Sequence, residues 1–187
     1  MKKYPSPSDI AEMKARGFEP QTIEVEEEKE LERLREMICE AFKDVKLGDG
    51  VGLKEAQAID DYKDTLTKAA YRAEDEKDDW RKIPVSELNR CHSSLSFFDA
   101  EGMRFHLPAF LIAELSGNRL ESGGCYCFDM VSRLSTVSGW QEKNFSLLTE
   151  QQRNAVREFL NYAIDDEDSQ LHLNDITHAL LKGYWRE

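Results

Sequence analysis

The stretch SLSFFDAEGMRFHLPAFLIAEL, Ser94 to Leu115, holds most of the information about the fold. It is strongly apolar, yet a histidine and a proline stand in its middle. Asp99 is of a residue type that caps helix N-termini, whereas Pro108 has no N–H to bond the carbonyl one turn earlier. The pattern therefore predicts a short helix after Asp99, a kink or break near His106, and a second helix from Pro108.

Apolar residues recur at steps of three and four on both sides of this stretch, as in helices with one buried face. They are Leu31, Leu34, Ile38, Ala41 and Phe42 before it, and Val156, Phe159, Leu160, Ala163 and Ile164 after it. Thr149 and Gln152 precede the later helix with the form of a capping box. The glycines of KLGDGVGL, residues 46–53, predict a turn between helices, with a new helix beginning near Leu53.

We therefore predict a mainly α fold, a single-domain bundle of several helices. Residues 1–22, which are rich in proline, are predicted to form an irregular N-terminal arm, and residues 23–187 the helical domain. Residues 117–145 are predicted to be a loop-rich insertion, although the segment CYCFDMVSRL within it could form a short strand or a short helix. No alternating pattern is long enough to predict a substantial sheet.

The charge of the chain limits the partners that it can bind. It has 37 acidic and 25 basic residues, a formal net charge of -12 and a pI near 4.9. Such a chain repels the phosphates of nucleic acids and of anionic membranes, so we expect a basic protein as partner and neither nucleic acid nor a membrane.

The compartment is predicted from what the sequence lacks. The N-terminal residues have no apolar core like that of a signal peptide, and no stretch approaches the length of a transmembrane span. The four cysteines form no dense framework of the kind found in small secreted proteins. We therefore expect a cytoplasmic protein whose cysteines are reduced.

No motif predicts a metal or a cofactor. Cys91 and His92 could be brought by folding to Cys125 and Cys127, but Cys-x-Cys lacks the spacing of a zinc knuckle. The turn at residues 48–52 is like a phosphate loop only in its glycines, because no Gly-Lys-Ser or Gly-Lys-Thr follows it. We expect neither a metal nor a cofactor.

One group of residues keeps an enzyme hypothesis open. His106 beside the proline, with Glu101 as a second acid/base group and Asp99 as an orienting group, could serve a small hydrolase or transferase. The competing interpretation, which the sequence favours, is a structural histidine satisfied at a helix break.

A surface hypothesis rests on the run AEDEKDDW, residues 73–80, where clustered acids precede a tryptophan. Acidic side chains speed encounter with a basic surface, and an aromatic anchor supplies lasting affinity. With a second tryptophan in a Ser-Gly-Trp loop, the predicted partner-binding residues are Asp75, Glu76, Asp78, Asp79, Trp80 and Trp140. An ordinary solvated face with Trp80 buried is the alternative, and the sequence supports it equally.

Two segments of the chain resemble an uncharacterised bacterial domain family of unknown function. The F-x-L-P-A-F-L segment of that family is matched by Phe105, Leu107, Pro108, Ala109, Phe110 and Leu111. Its L-T-x-x-Q-x-x-A-x-x-x-F-L segment is matched by Leu148, Thr149, Gln152, Ala155, Phe159 and Leu160. The resemblance covers about residues 45–164 and implies a helical fold, and it supplies no catalytic residue.

The chain is also similar in general character to immunity proteins, small acidic helical proteins that neutralise a toxin. That similarity is one of type and has no motif behind it. Together with the charge, it favours an acidic protein-binding module, and most of all an immunity-type inhibitor that occludes a basic surface of a cognate bacterial toxin.

Overall fold

The structure, a computed structural model, describes residues 7–17, 21–116, 128–164 and 172–186, without the side chains of residues 7–10, 21–26 and 140. These residues form nine α-helices and no strand, so the prediction of a mainly α, multi-helix fold is confirmed. The helices are α1 (Pro7–Ala15), α2 (Gln21–Ala41), α3 (Leu53–Asp60), α4 (Thr65–Glu74), α5 (Val85–Arg90), α6 (Ala100–Leu115), α7 (Met130–Ser135), α8 (Glu150–Ala163) and α9 (Leu173–Leu181). Three 3-10 helices connect them, at Trp80–Lys82, His92–Ser96 and Gly139–Phe145.

The central helix is α6, which contacts α2, α5, α7 and the 3-10 helices at Trp80–Lys82 and Gly139–Phe145. It is continuous through Pro108, so the prediction of two helices separated by a break is wrong. A proline in a helix interior costs about 3 kcal/mol, mainly through one lost hydrogen bond. Every residue from Phe105 to Leu111 is buried, and the contacts of this apolar segment with five neighbouring elements offset that cost.

The N-terminus of α6 is capped by Asp99, as predicted. The Asp99 carboxylate accepts hydrogen bonds from Gly102 N at 2.7 Å and from Val51 N at 3.0 Å. The second bond fastens the glycine-rich turn, residues 46–53, to α6. Gly50 approaches α6 so closely that a Cβ there would lie 2.6 Å from the Cβ of Glu101. The turn is present where it was predicted, and α3 begins at Leu53.

The predicted apolar faces of α2 and α8 pack against each other in the core. The capping box of α8 is also confirmed, since Gln152 N donates to Thr149 Oγ1 at 3.3 Å and Thr149 N donates to Gln152 Oε1 at 3.0 Å. The amide of Gln152 in addition donates to the carbonyl of Ala41 at 3.1 Å. The cap therefore also joins α8 to the end of α2.

The C-terminal residues close the other side of the core. Trp185 is fully buried, and its indole N–H donates to the carbonyl of Leu134 at 2.8 Å. Arg157 donates to the carbonyl of Trp185 at 2.7 Å and is paired with Glu150 at 2.6 Å. These contacts hold the segment after α9 against α7 and α8.

The predicted irregular insertion at residues 117–145 is partly helical. Residues 117–127 lie outside the described part of the chain, but residues 130–145 contain α7 and a 3-10 helix. Met130, Val131 and Leu134 of α7 are buried. Six residues are too few for a periodic pattern, so the sequence could not distinguish this helix from a strand. The division into an arm, residues 1–22, and a helical domain, residues 23–187, stays a prediction.

Candidate functional site

Trp80, the predicted aromatic anchor, is a core residue. Its side chain is 2% exposed, and its indole N–H donates to the carbonyl of Phe42 at 2.9 Å. A partner at the surface cannot reach this ring without a rearrangement. Trp140 lies in the 3-10 helix Gly139–Phe145, and its side chain is outside the described part of the structure.

Asp75 is buried against the start of α3. Its carboxylate accepts hydrogen bonds from the backbone N–H groups of Lys54 at 2.8 Å and Glu55 at 3.2 Å. Burial raises the pKa of this carboxyl above its usual range, against the opposing effect of the two hydrogen bonds. A Cβ at Gly52 would lie 1.9 Å from the carboxylate. Asp75 therefore provides, from outside the helix, hydrogen-bond acceptors for backbone N–H groups in the first turn of α3.

The next three acids of the run have mainly local roles. Glu76 Oε1 accepts hydrogen bonds from the N–H groups of the three residues that follow it, and these bonds lower the pKa of its carboxyl. Asp79 caps the 3-10 helix at Trp80–Lys82 and pairs with Arg81 at 2.7 Å. Asp78, with a side chain 74% exposed, pairs with Lys46 at 3.0 Å. Of the four carboxylates, that of Asp78 is the most open to a partner.

His106 is sealed inside the core and is fully buried. Its Nδ1 donates to the carbonyl of Gly102 at 2.7 Å, and its ring stacks on Phe98 at 4.5 Å. Its Nε2 has no hydrogen-bond partner among the residues that the structure describes. Burial lowers the pKa of His106 to about 4. Glu101 is exposed at the start of α6, so the two residues of the enzyme hypothesis are not presented together in an open site.

Side chains that the sequence did not single out form the most exposed apolar surface among the described residues. Tyr62, in the turn after α3, is 96% exposed, and Leu66, in the first turn of α4, is 83% exposed. Ala69, Ala70 and Ala73 follow at helical spacing and are also exposed. We call these five residues the hairpin surface.

Tyr62 has an unusual backbone conformation. α3 ends in a Schellman motif, in which Tyr62 N donates to Ile59 O at 3.1 Å and Lys63 N donates to Ala58 O at 3.0 Å. The residue at this place has left-handed dihedral angles and is usually glycine, and here it is a tyrosine with φ 56°. A residue with a Cβ pays about 1 kcal/mol or more in this region. Nothing in the burial of Tyr62 offsets that cost.

α4 turns its polar side, and not its apolar side, toward the body of the protein. No residue of α4 is buried. Arg72 points inward, where it donates to the carbonyl of Gly50 and pairs with Glu55 at 2.8 Å. Asp64 caps the helix by accepting hydrogen bonds from the N–H groups of residues 66 and 67. Ion pairs and caps therefore hold α4 in place, and its apolar face stays exposed.

A cavity of about 430 Å³ lies beside the hairpin surface. Its lining includes Lys54 of α3, Asp61 directly after α3, Tyr71 and Glu74 of α4, and Cys91 directly after α5. The ammonium of Lys54 lies between the carboxylates of Glu74, at 3.5 Å, and Glu87, at 3.6 Å. The cavity is therefore charged at one wall and has an aromatic ring and a thiol at others.

A signal for the hairpin surface was present in the sequence. The segment AIDDYKDTL joins one helix to the next without a glycine, although a helix end commonly needs one. Asp64 followed by Thr-Leu-Thr then marks the next helix start. One residue between these signals has to take the left-handed position, so the missing glycine predicts a strained turn between the two helices.

The described residues provide neither a metal-binding cluster nor a membrane-spanning helix. Within the described ranges, no group of three or more His, Cys, Asp or Glu side chains is placed to hold a metal ion. Cys39 and Cys91 carry free thiols, and Cys125 and Cys127 lie outside those ranges. No helix in the described part of the chain combines the length and apolar character needed to cross a membrane.

Comparison with known proteins places the chain in a family. No curated protein and no solved structure matches it significantly. Residues 30–187 match the model of DUF6714, a family of unknown function. The match confirms the resemblance to an uncharacterised family and extends it on both sides of residues 45–164. Because it covers most of the sequence, the chain belongs to DUF6714.

Proposed function

We propose that this chain is an acidic protein-binding module, and that it acts as an immunity-type inhibitor by covering a basic surface of a cognate toxin. The observation that carries the proposal is the hairpin surface, where Tyr62 and Leu66 are 96% and 83% exposed. Large apolar side chains that are grouped and exposed mark sites of protein interaction. The partner meets the hairpin surface, and not the tryptophan of the acidic run.

The strain at Tyr62 supports the same assignment. Its φ of 56° is unfavourable for an aromatic residue, and its side chain gains almost no burial in return. Residues held in sparsely populated conformations concentrate at sites of function. Tyrosine is also common among the residues that dominate binding energy, because it combines a large apolar ring with a polar end.

Charge supports a basic partner. Residues 60–74 contain four carboxylates, at Asp60, Asp61, Asp64 and Glu74, and three cations, of which Arg72 points inward to Glu55. Outward-facing acids therefore outnumber outward-facing bases around the apolar residues, on a chain whose net charge is -12. Complementary charge favours encounter with a basic protein, and the apolar contacts slow its dissociation. We place this interaction in the cytoplasm, where the free thiols would stay reduced.

The proposal is tested with two baits, the wild-type chain and a Tyr62→Ser, Leu66→Ser double variant. Each is used to capture proteins from a lysate of the native host. We expect a basic protein that the wild type retains and the double variant loses. The captured protein should arrest growth when expressed alone, and coexpression of the wild-type chain should relieve the arrest.

Purified components then test the mechanism. The association rate should fall steeply between low and physiological salt, with a smaller change in dissociation. Asp78→Lys reverses an exposed charge without removing a cap, and it should slow association. Asp79→Lys is a poor test, because Asp79 caps a 3-10 helix. A partner that binds both baits equally well would contradict the hairpin surface as the docking site.

A further inference from the structure

We infer that the cavity beside the hairpin surface receives an arginine side chain of the partner. The inference rests on the proposed function, because it assumes that a protein partner lies on the hairpin surface. It adds a recognition element of defined chemistry, a guanidinium group, to what is otherwise a match of apolar area and net charge.

The position of the cavity brings it within reach of a partner at Tyr62. Asp61, in the cavity lining, directly precedes Tyr62, and Glu74, also in the lining, lies one helical turn after Ala70 of the hairpin surface. Tyr71 lines the cavity and is also 36% exposed to solvent. A partner that covers the hairpin surface at Tyr62 and Ala70 therefore lies next to two residues of the cavity lining.

The charges around the cavity favour a cation. The two cations, Lys54 and Arg90, are already paired, Lys54 with Glu74 and Glu87 at 3.5 and 3.6 Å and Arg90 with Glu87 at 3.2 Å. The lining holds two carboxylates, Asp61 and Glu74, and Glu87 outside it pairs with both of these cations. An anion would have to displace carboxylates from both cations before it could bind.

The carboxylates at the mouth are available to a ligand. The side chains of Glu74 and Asp61 are 62% and 44% exposed. Asp61 Oδ1 accepts a hydrogen bond from the side-chain amide of Gln57 at 3.1 Å, and its Oδ2 pairs with Lys63 at 3.9 Å, the long end of ion-pair distances and open to solvent. An incoming guanidinium can exchange with such a pair at little cost.

The shapes of the lining groups favour arginine over a compact cation. A guanidinium is planar, offers several N–H donors in a fixed fork, and stacks on aromatic rings. Glu74 and Asp61 supply acceptors, and the ring of Tyr71 supplies a face for stacking. The buried thiol of Cys91, whose pKa is raised by burial, is neutral and forms an apolar wall for the methylene stem.

The experiment uses the whole ¹⁵N-labelled chain and small probes, followed by NMR. N-acetyl-arginine amide is the probe, and N-acetyl-citrulline amide is its neutral isostere. We expect saturable shifts of the Gln57 side-chain amide and of the backbone amides of Asp61, Tyr71 and Cys91 with the arginine probe. The citrulline probe should bind at least about five-fold more weakly, since a charge-assisted contact is lost.

Two variants locate the site. Glu74→Gln removes a carboxylate from the lining and should weaken binding of the arginine probe by about five-fold. Glu36→Gln, an exposed change on α2 outside the cavity, is the matched control and should leave binding unchanged. The wild-type titrations keep the test decisive even if Glu74→Gln disturbs the fold.

Three results would overturn the inference. They are an absence of saturable shifts at the cavity, equal binding of the arginine and citrulline probes, and tighter binding of an anionic probe, N-acetyl-glutamate amide. Failure of the proposed function looks different. In that case the Tyr62→Ser, Leu66→Ser variant keeps its partner while the cavity still binds the arginine probe. If the double variant loses its partner and the cavity does not bind the arginine probe, the proposed function stands and the cavity inference alone fails.

Discussion

The two ends of α3 differ in how they are held. At the first end, the N-terminus of α3, Gly52 and Leu53 are buried. Two N–H groups of the first turn, which have no acceptor within the helix, donate to Asp75 from a distant part of the chain. At the last end, two residues past the C-terminus of this eight-residue helix, Tyr62 has a left-handed conformation and its side chain lies in solvent. The first end is fixed by burial and hydrogen bonds, and the last end exposes apolar area.

The difference shows which acids belong to the architecture and which surface is left for a partner. The run at Asp75 is acidic in sequence, yet most of its carboxylates are used to bond backbone N–H groups. The turn at Tyr62 is acidic as well, and its conformation and exposure are unfavourable for an isolated chain. Substitutions at the first end should therefore lower stability, and those at the last end should change binding more than stability.

The largest effect is expected for Gly52→Ala. Its Cβ would lie 1.9 Å from Oδ2 and 2.8 Å from Cβ of Asp75, so Asp75 and its two hydrogen bonds must shift. We expect the free energy of unfolding to fall by about 3 kcal/mol, as measured by urea denaturation. Gly48→Ala is the control, since its Cβ meets no described atom within 4 Å, and its φ of 58° predicts a loss of only about 1 kcal/mol. Equal losses would show that the first end is not sterically closed.

The pH dependence of the free energy of unfolding should reveal the buried side chain of His106 in α6. His106 bonds the carbonyl of Gly102, and the pKa of the native imidazole is about 4 against 6.5 for a free one. Between these values the unfolded chain binds more protons, so the free energy of unfolding should fall by about 3 kcal/mol as pH drops from 6.5 to 4.

The control for this prediction is His106→Phe, which keeps a ring beside Phe98 and cannot titrate. Urea denaturation of both proteins across this pH range gives the difference that belongs to His106. Wild-type and variant curves that run parallel from pH 6.5 to 4 would refute the assignment of the pH dependence to this residue.

Two acids of one run should differ in their contribution to stability. Asp75→Ala leaves two partly buried N–H groups of α3 without their acceptor and should lower the free energy of unfolding by about 2 kcal/mol. Asp78→Ala removes an exposed ion pair with Lys46 and should change it by less than about 0.5 kcal/mol. Thermal or urea unfolding of the two variants side by side is the measurement. A larger loss at Asp78 would invert the comparison between buried and exposed acids.

The smallest effect is expected at the last end, and it has the opposite sign. Tyr62→Gly replaces a strained residue with the one that suits the left-handed position, and should raise the free energy of unfolding by about 1 kcal/mol. The same change should weaken partner binding in the capture experiment. Leu66→Ser is the control and should leave stability within about 0.5 kcal/mol of the wild type. A destabilised Tyr62→Gly variant would mean that the tyrosine supports the fold.

The helices with one apolar face could be predicted from the sequence, and the course of α6 could not. The stripes of α2 and α8 reflect burial on one side, which periodicity records. The middle of α6 is buried all round, so no periodic signal was available to oppose the local effect of Pro108. Tertiary contacts decided that case.

The burial of Asp75 and Trp80 was out of reach of local reasoning for a related physical reason. The hydrogen-bond partners of Asp75 lie 21 and 20 residues earlier in the chain. The carbonyl that accepts from the indole of Trp80 lies 38 residues earlier. A sequence shows that such groups are acidic or aromatic, and the fold alone shows whether they face inward. Tyr62 differs, because the absence of a glycine at a helix end is a local signal.

The two buried indoles, those of Trp80 and Trp185, are also optical reporters that need no label. Each donates its N–H to a carbonyl, Phe42 in one case and Leu134 in the other, so each is tied to a different part of the core. An indole in an apolar setting emits at a shorter wavelength than one in water. With Trp140 and one of the two replaced by phenylalanine, the emission of the remaining ring would report whether the region beside the glycine-rich turn and the C-terminal region loosen together or in sequence.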